Sequence, residues 1–246
     1  MKAKTVIPLL LAAALLAGSG CGTTTIDYTR SSRQPVLNYS STQALPPPSA
    51  PQGPVLVIYG DGTAYQRHGQ MDYTTGKVLE SELKSLLGSI VDEGFFQLKP
   101  LQGKDTPGGI TDQVTVTLKG KSKSVQGPDN SGGDFGAVLD TVKTFKIPGA
   151  KAYLPDQIIL FAKQYTGPEP FVGTVLDWTA DPAVLEQAAA PVAGYVPGAH
   201  ASGAQAQQAW KLLEGASGGD EEVAWRAGGK LYVQVYAVPQ FPLPGI

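Results

Sequence analysis

The sequence predicts an α+β fold: antiparallel hairpins packed with helices, in the order β-β-(β)-α-β-β-α, followed by a second, smaller α+β half. Three observations predict it. Val55-Leu56-Val57-Ile58-Tyr59 is a continuous apolar run ending on Gly60-Asp61-Gly62, a hairpin turn. Leu83, Leu86, Leu87, Ile90 and Val91 recur at helical spacing and make one apolar stripe. Val114, Val116 and Leu118 alternate with Thr115 and Thr117, the period-2 pattern of a half-buried strand.

Each element follows from local chemistry. The Val55–Tyr59 run lacks alternation, so it is expected to be buried on both faces. Thr63 to Arg67 returns from the turn, and Met71 to Thr75 offers a third strand. The first helix is expected over 80–93, with Gly94 closing it in the left-handed conformation. Gln113 to Leu118, a turn at Gly120 and a return over Lys121 to Val125 make the next hairpin. A second helix, 134–145, carries Phe135, Val138, Leu139 and Val142 as its stripe, with Asp134 as N-cap.

The second half is sparser in signal. Ile158-Ile159-Leu160-Phe161 is a buried strand within 156–165. Asp181-Pro182 supplies an N-cap and a first-turn proline for a helix to about 190. Ser202 opens a helix through Leu213, striped by Ala206, Ala209, Trp210 and Leu213. Strands over 222–226 and 230–238 flank Gly228-Gly229, and Pro239, Pro242 and Pro244 hold the end extended. The expected organisation is therefore a signal peptide at 1–20 and a lipidated Cys21 with a Thr/Ser/Pro-rich tether at 21–53. A first α+β domain follows at 54–148, then a second α+β half with a Pro-rich tail at 149–246.

The leader carries the address. Lys2 and Lys4 precede an apolar run from Val6 to Leu16, and small residues lead to Cys21. The apolar core is about 11–12 residues, too short to cross ~30 Å of hydrocarbon as a helix. Residues Leu15 to Gly22 resemble the lipobox of bacterial lipoproteins, in which a cysteine after small residues receives a diacylglycerol thioether; Gly18 stands where an aliphatic residue is usual. The resemblance implies that Cys21 is acylated, as palmitate-type chains on a lipoprotein are, and that membrane lipid is its partner. Two or more acyl chains give stable attachment where one is marginal. Gly22 resembles the sorting pattern for the outer membrane, periplasmic face, where the source has two membranes. Ordinary secretion with Cys21 incidental is the competing reading, but the only cysteine of an exported chain has no disulfide partner, and lipidation accounts for it.

Composition narrows the rest. The chain has 19 basic and 21 acidic residues; loss of Lys2 and Lys4 with the leader leaves 17 against 21, about −4. That balance argues against nucleic acid as a partner. Residues 22–53, about 32 of them and rich in Thr, Ser, Gln and Pro, are expected to form a flexible coil spanning roughly 30 Å.

The order YGDGT, GFFQL, TDQVTVTL, GKSKSV and a helix opening at Phe135 resembles an uncharacterised domain family of bacterial exported proteins, over about residues 53–145. Many members carry a Cys-x-x-Cys-Pro-like segment before the first strand; this chain has Pro51-Gln52-Gly53-Pro54 there, so any metal or redox role of such a pair is absent. The resemblance implies a fold and boundaries, and no activity.

Candidate chemistry is thin. Gly215-Ala216-Ser217-Gly218-Gly219 matches G-x-S-x-G, but it follows a helix rather than joining a strand to one, so a Gly/Ser loop is the better reading. Ser81-Glu82-Leu83-Lys84 matches S-x-x-K without a companion K-T-G, and Ser81 is expected to satisfy first-turn amides. His68 and His200 lie far apart and lack metal-ligand spacing. Residues 129–134 are oxygen-rich but lack the spacing and terminal Glu of a calcium loop, and read as a helix cap. Lys119, Lys121 and Lys123 cluster at a hairpin tip, either solvated to discourage edge pairing or touching anionic wall polymer or lipid head groups. Trp178, Trp210, Trp225, Tyr232 and Tyr236 are expected to gather, by default as core. No catalytic, cofactor-binding or metal residue is assigned. The expected function is a membrane-anchored cell-envelope lipoprotein acting as a non-enzymatic binding or structural module, with an envelope protein or wall polymer as a further partner. The alternatives are an envelope hydrolase assembled from scattered residues, and an inhibitor or assembly factor presenting the 60–62 turn or the Pro-rich end.

Overall fold

One sheet carries a core on each of its faces, and a second sheet contributes to one of the two cores. The computed structural model describes residues 26–43, 53–103, 108–190, 198–216 and 222–241. The strands are β1 Pro35–Gln43, β2 Leu56–Tyr59, β3 Thr63–Arg67, β4 Tyr73–Lys77, β5 Ile110–Leu118, β6 Lys121–Pro128, β7 Lys151–Ala152, β8 Gln157–Gln164, β9 Thr174–Asp177, β10 Ala199–Ser202, β11 Val223–Ala227 and β12 Lys230–Pro239. The helices are α1 Glu80–Asp92, α2 Gly133–Thr144, α3 Pro182–Ala189 and α4 Gly203–Ala216. The first sheet runs β6-β5-β1-β2-β3-β4-β7, and its pairs are antiparallel. The second runs β10-β8-β12-β11-β9, antiparallel except where β9 pairs parallel with β11. This is the α+β class expected, antiparallel strands packed against helices.

The continuous apolar run in β2 has a direct physical cause. Leu56 and Ile58 enter one core with Leu37, Tyr39, Val114, Val116, Val125 and the stripes of α1 and α2. Val57 and Tyr59, on the opposite face, enter a second core with Met71, Tyr73, Ile158, Leu160, Trp210, Trp225 and the apolar faces of α3 and α4. All four β2 residues are buried. The second core thus borrows β2 and β4 from the first half, and β7 from the far side of α2 pairs with β4.

The largest departure from expectation is the segment read as a tether. Ile26 and Tyr28 are buried, and Pro35–Gln43 forms β1 between β5 and β2 in the first sheet. Polar Ser and Thr residues suggested a coil; the pairing of both β1 edges supplies the backbone bonds that such a segment lacks alone. A bulge sits between Pro35 and Leu37, so that Val36 and Leu37 both enter the first core. Residues 44–52 lie outside the described residues.

Smaller corrections are local. The N-cap of α2 is Gly132, and Asp134 sits in its first turn, where a carboxylate still favours the helix N-terminus. Ser202 belongs to β10 rather than to α4. Strands β7, β9 and β10 carried too few residues to read from pattern alone. Gly94 (φ +79) and the Asp181 N-cap, whose carboxylate accepts the Ala183 amide at 2.9 Å, stand as expected.

Candidate functional site

The site with the most built chemistry is the corner where residues 26–34 join the body. Ile26 packs beside Gly88 of α1, and the Lys119 amide donates to the Asp27 carbonyl at 2.8 Å. The Asp27 carboxylate also meets the Lys119 ammonium at 3.4 Å. Further along, Gly60 donates to Gln34 and Asp61 to Ser31 through backbone amides. A Cβ on Gly60 would stand 1.8 Å from the Thr29 carbonyl oxygen, so only glycine lets the strand end approach this closely. The backbone of the 60–62 turn is therefore clasped by the segment before β1, with Asp61 left exposed at its tip.

Tyr28, Arg30, Gly60, Asp61, Gly62, Val78, Glu80 and Leu83 line a cavity of about 90 Å³ here. Small-molecule sites occupy roughly 300–1,000 Å³, so this one has room for a few waters rather than a substrate. Its rim is charged. Glu80 accepts Lys84 at 2.8 Å and Arg30 at 2.5 Å. The Lys84 bond, then Arg30, holds the Glu80 carboxyl below its ordinary value, and Glu80 in turn raises Lys84. These groups are exposed, so the pairs add little stability.

Asp61 is more enclosed. Burial pushes its carboxyl up, but bonds from Lys77 (2.8 Å) and from the Thr63 amide and hydroxyl (both 2.9 Å) outweigh it, leaving the pKa lowered. A carboxyl lowered on folding contributes stability above its unfolded pKa of about 3.9, and loses it as pH falls through the lower folded value. Asp61→Asn is accordingly expected to destabilise the protein at pH 7 and to match the parent progressively below about pH 4. Urea unfolding across that range measures the convergence; a difference that stays constant with pH would refute this origin.

The hairpin lysines separate into two kinds. Lys121 stands with its ammonium 3.8 Å from the centre of the Phe96 ring. Lys123 turns back, donating to the carbonyls of Phe96 (3.0 Å) and Leu98. Lys119 and Lys121 flank the exposed Gly120 (φ +73) at the tip, and exposed Lys99 follows the 95–97 single-turn helix that Lys121 and Lys123 touch. The hairpin that carries Lys119, Lys121 and Lys123 thus meets the residue-26 junction through Lys119.

A second charged arrangement lies inside the first core. Asp112 is fully buried, accepts the Tyr39 hydroxyl at 3.2 Å, and lies 2.7 Å from the Lys143 ammonium of α2. The second oxygen makes a close ion pair without the angle of a well-aligned hydrogen bond. Burial, then the Asp112 charge, pushes the Tyr39 hydroxyl well above its usual range. Among residues 110–118 the expected strand began at Gln113 and so left Asp112 out. Yet Asp112 shares the parity of Val114 and Val116, so extending the strand places it inward.

The residues singled out for chemistry do not converge. Ser81 is exposed, and Lys84 beside it is held by Glu80; the Glu82 carboxylate accepts the Leu79 amide, which is the first-turn role expected of Ser81. His68 is exposed and bonded to Thr74, and His200 is exposed and bonded to Gln240. Among the described residues no group of three or more His, Cys, Asp or Glu is placed to hold a metal, and loop 129–134 leads into α2 with Ser131 bonded to Pro128. Cys21, Ser217 and residues 242–246 lie outside the described residues. Of the aromatic residues, Trp178, Trp210, Trp225 and Tyr232 gather in the second core as expected, with Trp178 edge-on to Trp225 at 5.4 Å and Trp210 packed on Tyr73, while half-buried Tyr236 stacks on Phe161 at 5.0 Å. Phe241 ends the described chain between Tyr65, Tyr73 and Tyr153. No helix among the described residues is long and apolar enough to cross a membrane. Comparison with protein-family models, with curated proteins and with solved structures gave no match to this chain.

Proposed function

We propose that this protein is a bacterial cell-envelope lipoprotein, anchored through acylated Cys21, whose α+β body is a non-enzymatic binding or structural module. The observation that carries the reading is the leader: two lysines, an apolar run too short to span a bilayer, small residues and the only cysteine of the chain. The small charged cavity and the separated, exposed histidines fit a body that binds through its surface. In a source with two membranes, Gly22 directs it to the periplasmic face of the outer membrane. An envelope protein or wall polymer is the partner class proposed for the body.

The experiment is Cys21→Ser, with metabolic labelling by an alkyne fatty acid and fractionation. The parent is expected to carry label and to sediment with membranes, and the variant to lose both. Membrane association that persists without any label would overturn the anchor.

A further inference from the structure

We infer that the β5–β6 turn, Lys119-Gly120-Lys121, is the face that the body sets against the membrane, its lysines on anionic lipid head groups. The inference rests on the lipid anchor proposed above. Five residue steps separate Cys21 from Ile26, which is already buried against α1. At ~3.3–3.6 Å per residue the leash reaches at most about 18 Å, whatever path it takes. A body of about 200 residues has a radius of gyration of roughly 16 Å and is about 40 Å across. The leash is shorter than the body, so the anchored protein cannot turn its far side to the bilayer, and the corner at residue 26 stays near the surface.

What stands at that corner decides the contact. Asp27 is bonded through its carbonyl to Lys119, so the hairpin tip travels with the junction. Lys119 is 75% exposed in its side chain, and its pair with Asp27 at 3.4 Å is a solvent-exposed one that an anionic surface can compete for. Lys121, across Gly120 in the same turn, is exposed as well, with its ammonium 3.8 Å from the centre of the Phe96 ring, an open contact that leaves it accessible to head groups. The mature chain as a whole is acidic, about −4. An anionic leaflet therefore repels the body on balance and attracts this lysine tip, and that contrast favours the same orientation as the leash. Lys123 is excluded from the contact because its ammonium is spent on the Phe96 and Leu98 carbonyls. Each lysine near such a leaflet favours the docked state by about fivefold, so Lys119 and Lys121 together weight it by about 25-fold.

The test uses the full acylated chain in phosphatidylglycerol-containing vesicles. With Cys21 acylated, Ser122→Cys supplies the single free thiol at the tip, and Lys211→Cys supplies one on α4 in the second half. Both are labelled with a fluorophore, and quenching by head-group-labelled lipid is compared. Strong quenching at 122 and weak quenching at 211 is expected. In Lys119→Gln/Lys121→Gln, or on phosphatidylcholine alone, quenching at 122 should fall, and added salt should act in the same direction. Equal quenching at the two positions, or no response to the lysine changes and lipid charge, would overturn the head-group contact while the acyl chain on Cys21, read by mass spectrometry of its peptide, remained. An absent acyl chain with protein free in solution would instead remove the anchor and this inference with it.

Discussion

A chain that begins at Pro54 is expected not to fold, although residues 22–53 read by composition as a tether. In the first sheet β1 alone joins β5–β6 to β2–β3–β4–β7 by hydrogen bonds. Without it, two interior strands become open edges, and a hairpin loses its attachment to the sheet. Ile26, Tyr28, Val36, Leu37 and Tyr39 leave the first core at the same time. At about 1.5–3 kcal/mol per buried apolar side chain, their loss is about 7–15 kcal/mol, comparable with the whole stability of a typical domain, ~5–15 kcal/mol. Circular dichroism and urea unfolding of chains beginning at Ile26 and at Pro54 check this. The first should unfold cooperatively and the second should show no transition. A cooperative transition at the same midpoint in both would mean that β1 is an accessory strand.

The reason β1 was illegible is physical. Strand signals rest on apolar alternation and β-branched or aromatic content. Residues 35–43, Pro-Val-Leu-Asn-Tyr-Ser-Ser-Thr-Gln, hold their apolar residues at one end, and a bulge breaks the alternation between Pro35 and Leu37. What makes the segment a strand is non-local: two waiting edges, β2 and β5, supplied by residues far along the chain. By contrast β2, α1, α2, α3, α4 and the β11–β12 hairpin announce themselves through run, stripe, cap or Gly-Gly turn, all of which are local. The charged corner was legible only in pieces. The hairpin lysines were visible as a cluster, but their junction with Asp27 depends on where β1 lies, and the Glu80 pairing with Arg30 joins residues 50 apart. In sequence Gly60 is a turn residue; that a carbonyl from Thr29 occupies the space of its Cβ is a tertiary fact.

Lys143→Met is expected to cost about 3 kcal/mol, in the lower part of the range for breaking a buried ion pair, because it leaves the Asp112 carboxylate buried with Tyr39 as its remaining partner. The value sits low because the Lys143 side chain is 35% exposed, against 1% for Asp112, so the lysine pays less desolvation than the carboxylate. The same asymmetry orders the single variants. Asp112→Asn keeps an acceptor for the Tyr39 hydroxyl and leaves an ammonium that can reach water, so it should cost less, about 1–2 kcal/mol. The double variant Asp112→Asn/Lys143→Met should then be more stable than the sum of the two costs implies, with a coupling of about 1–3 kcal/mol. Replacement of a whole buried pair is often near neutral where loss of one partner is not, and that difference separates an ion pair from two independent packing contacts. Denaturant unfolding of the four proteins of the cycle measures it. Additive costs would show that Asp112 and Lys143 act independently despite their 2.7 Å separation. Coupling would show that the one fully buried carboxylate among the described residues locks β5 to α2, because a one-residue slip of β5 would bring Gln113 to the core face and carry Asp112 away from Lys143.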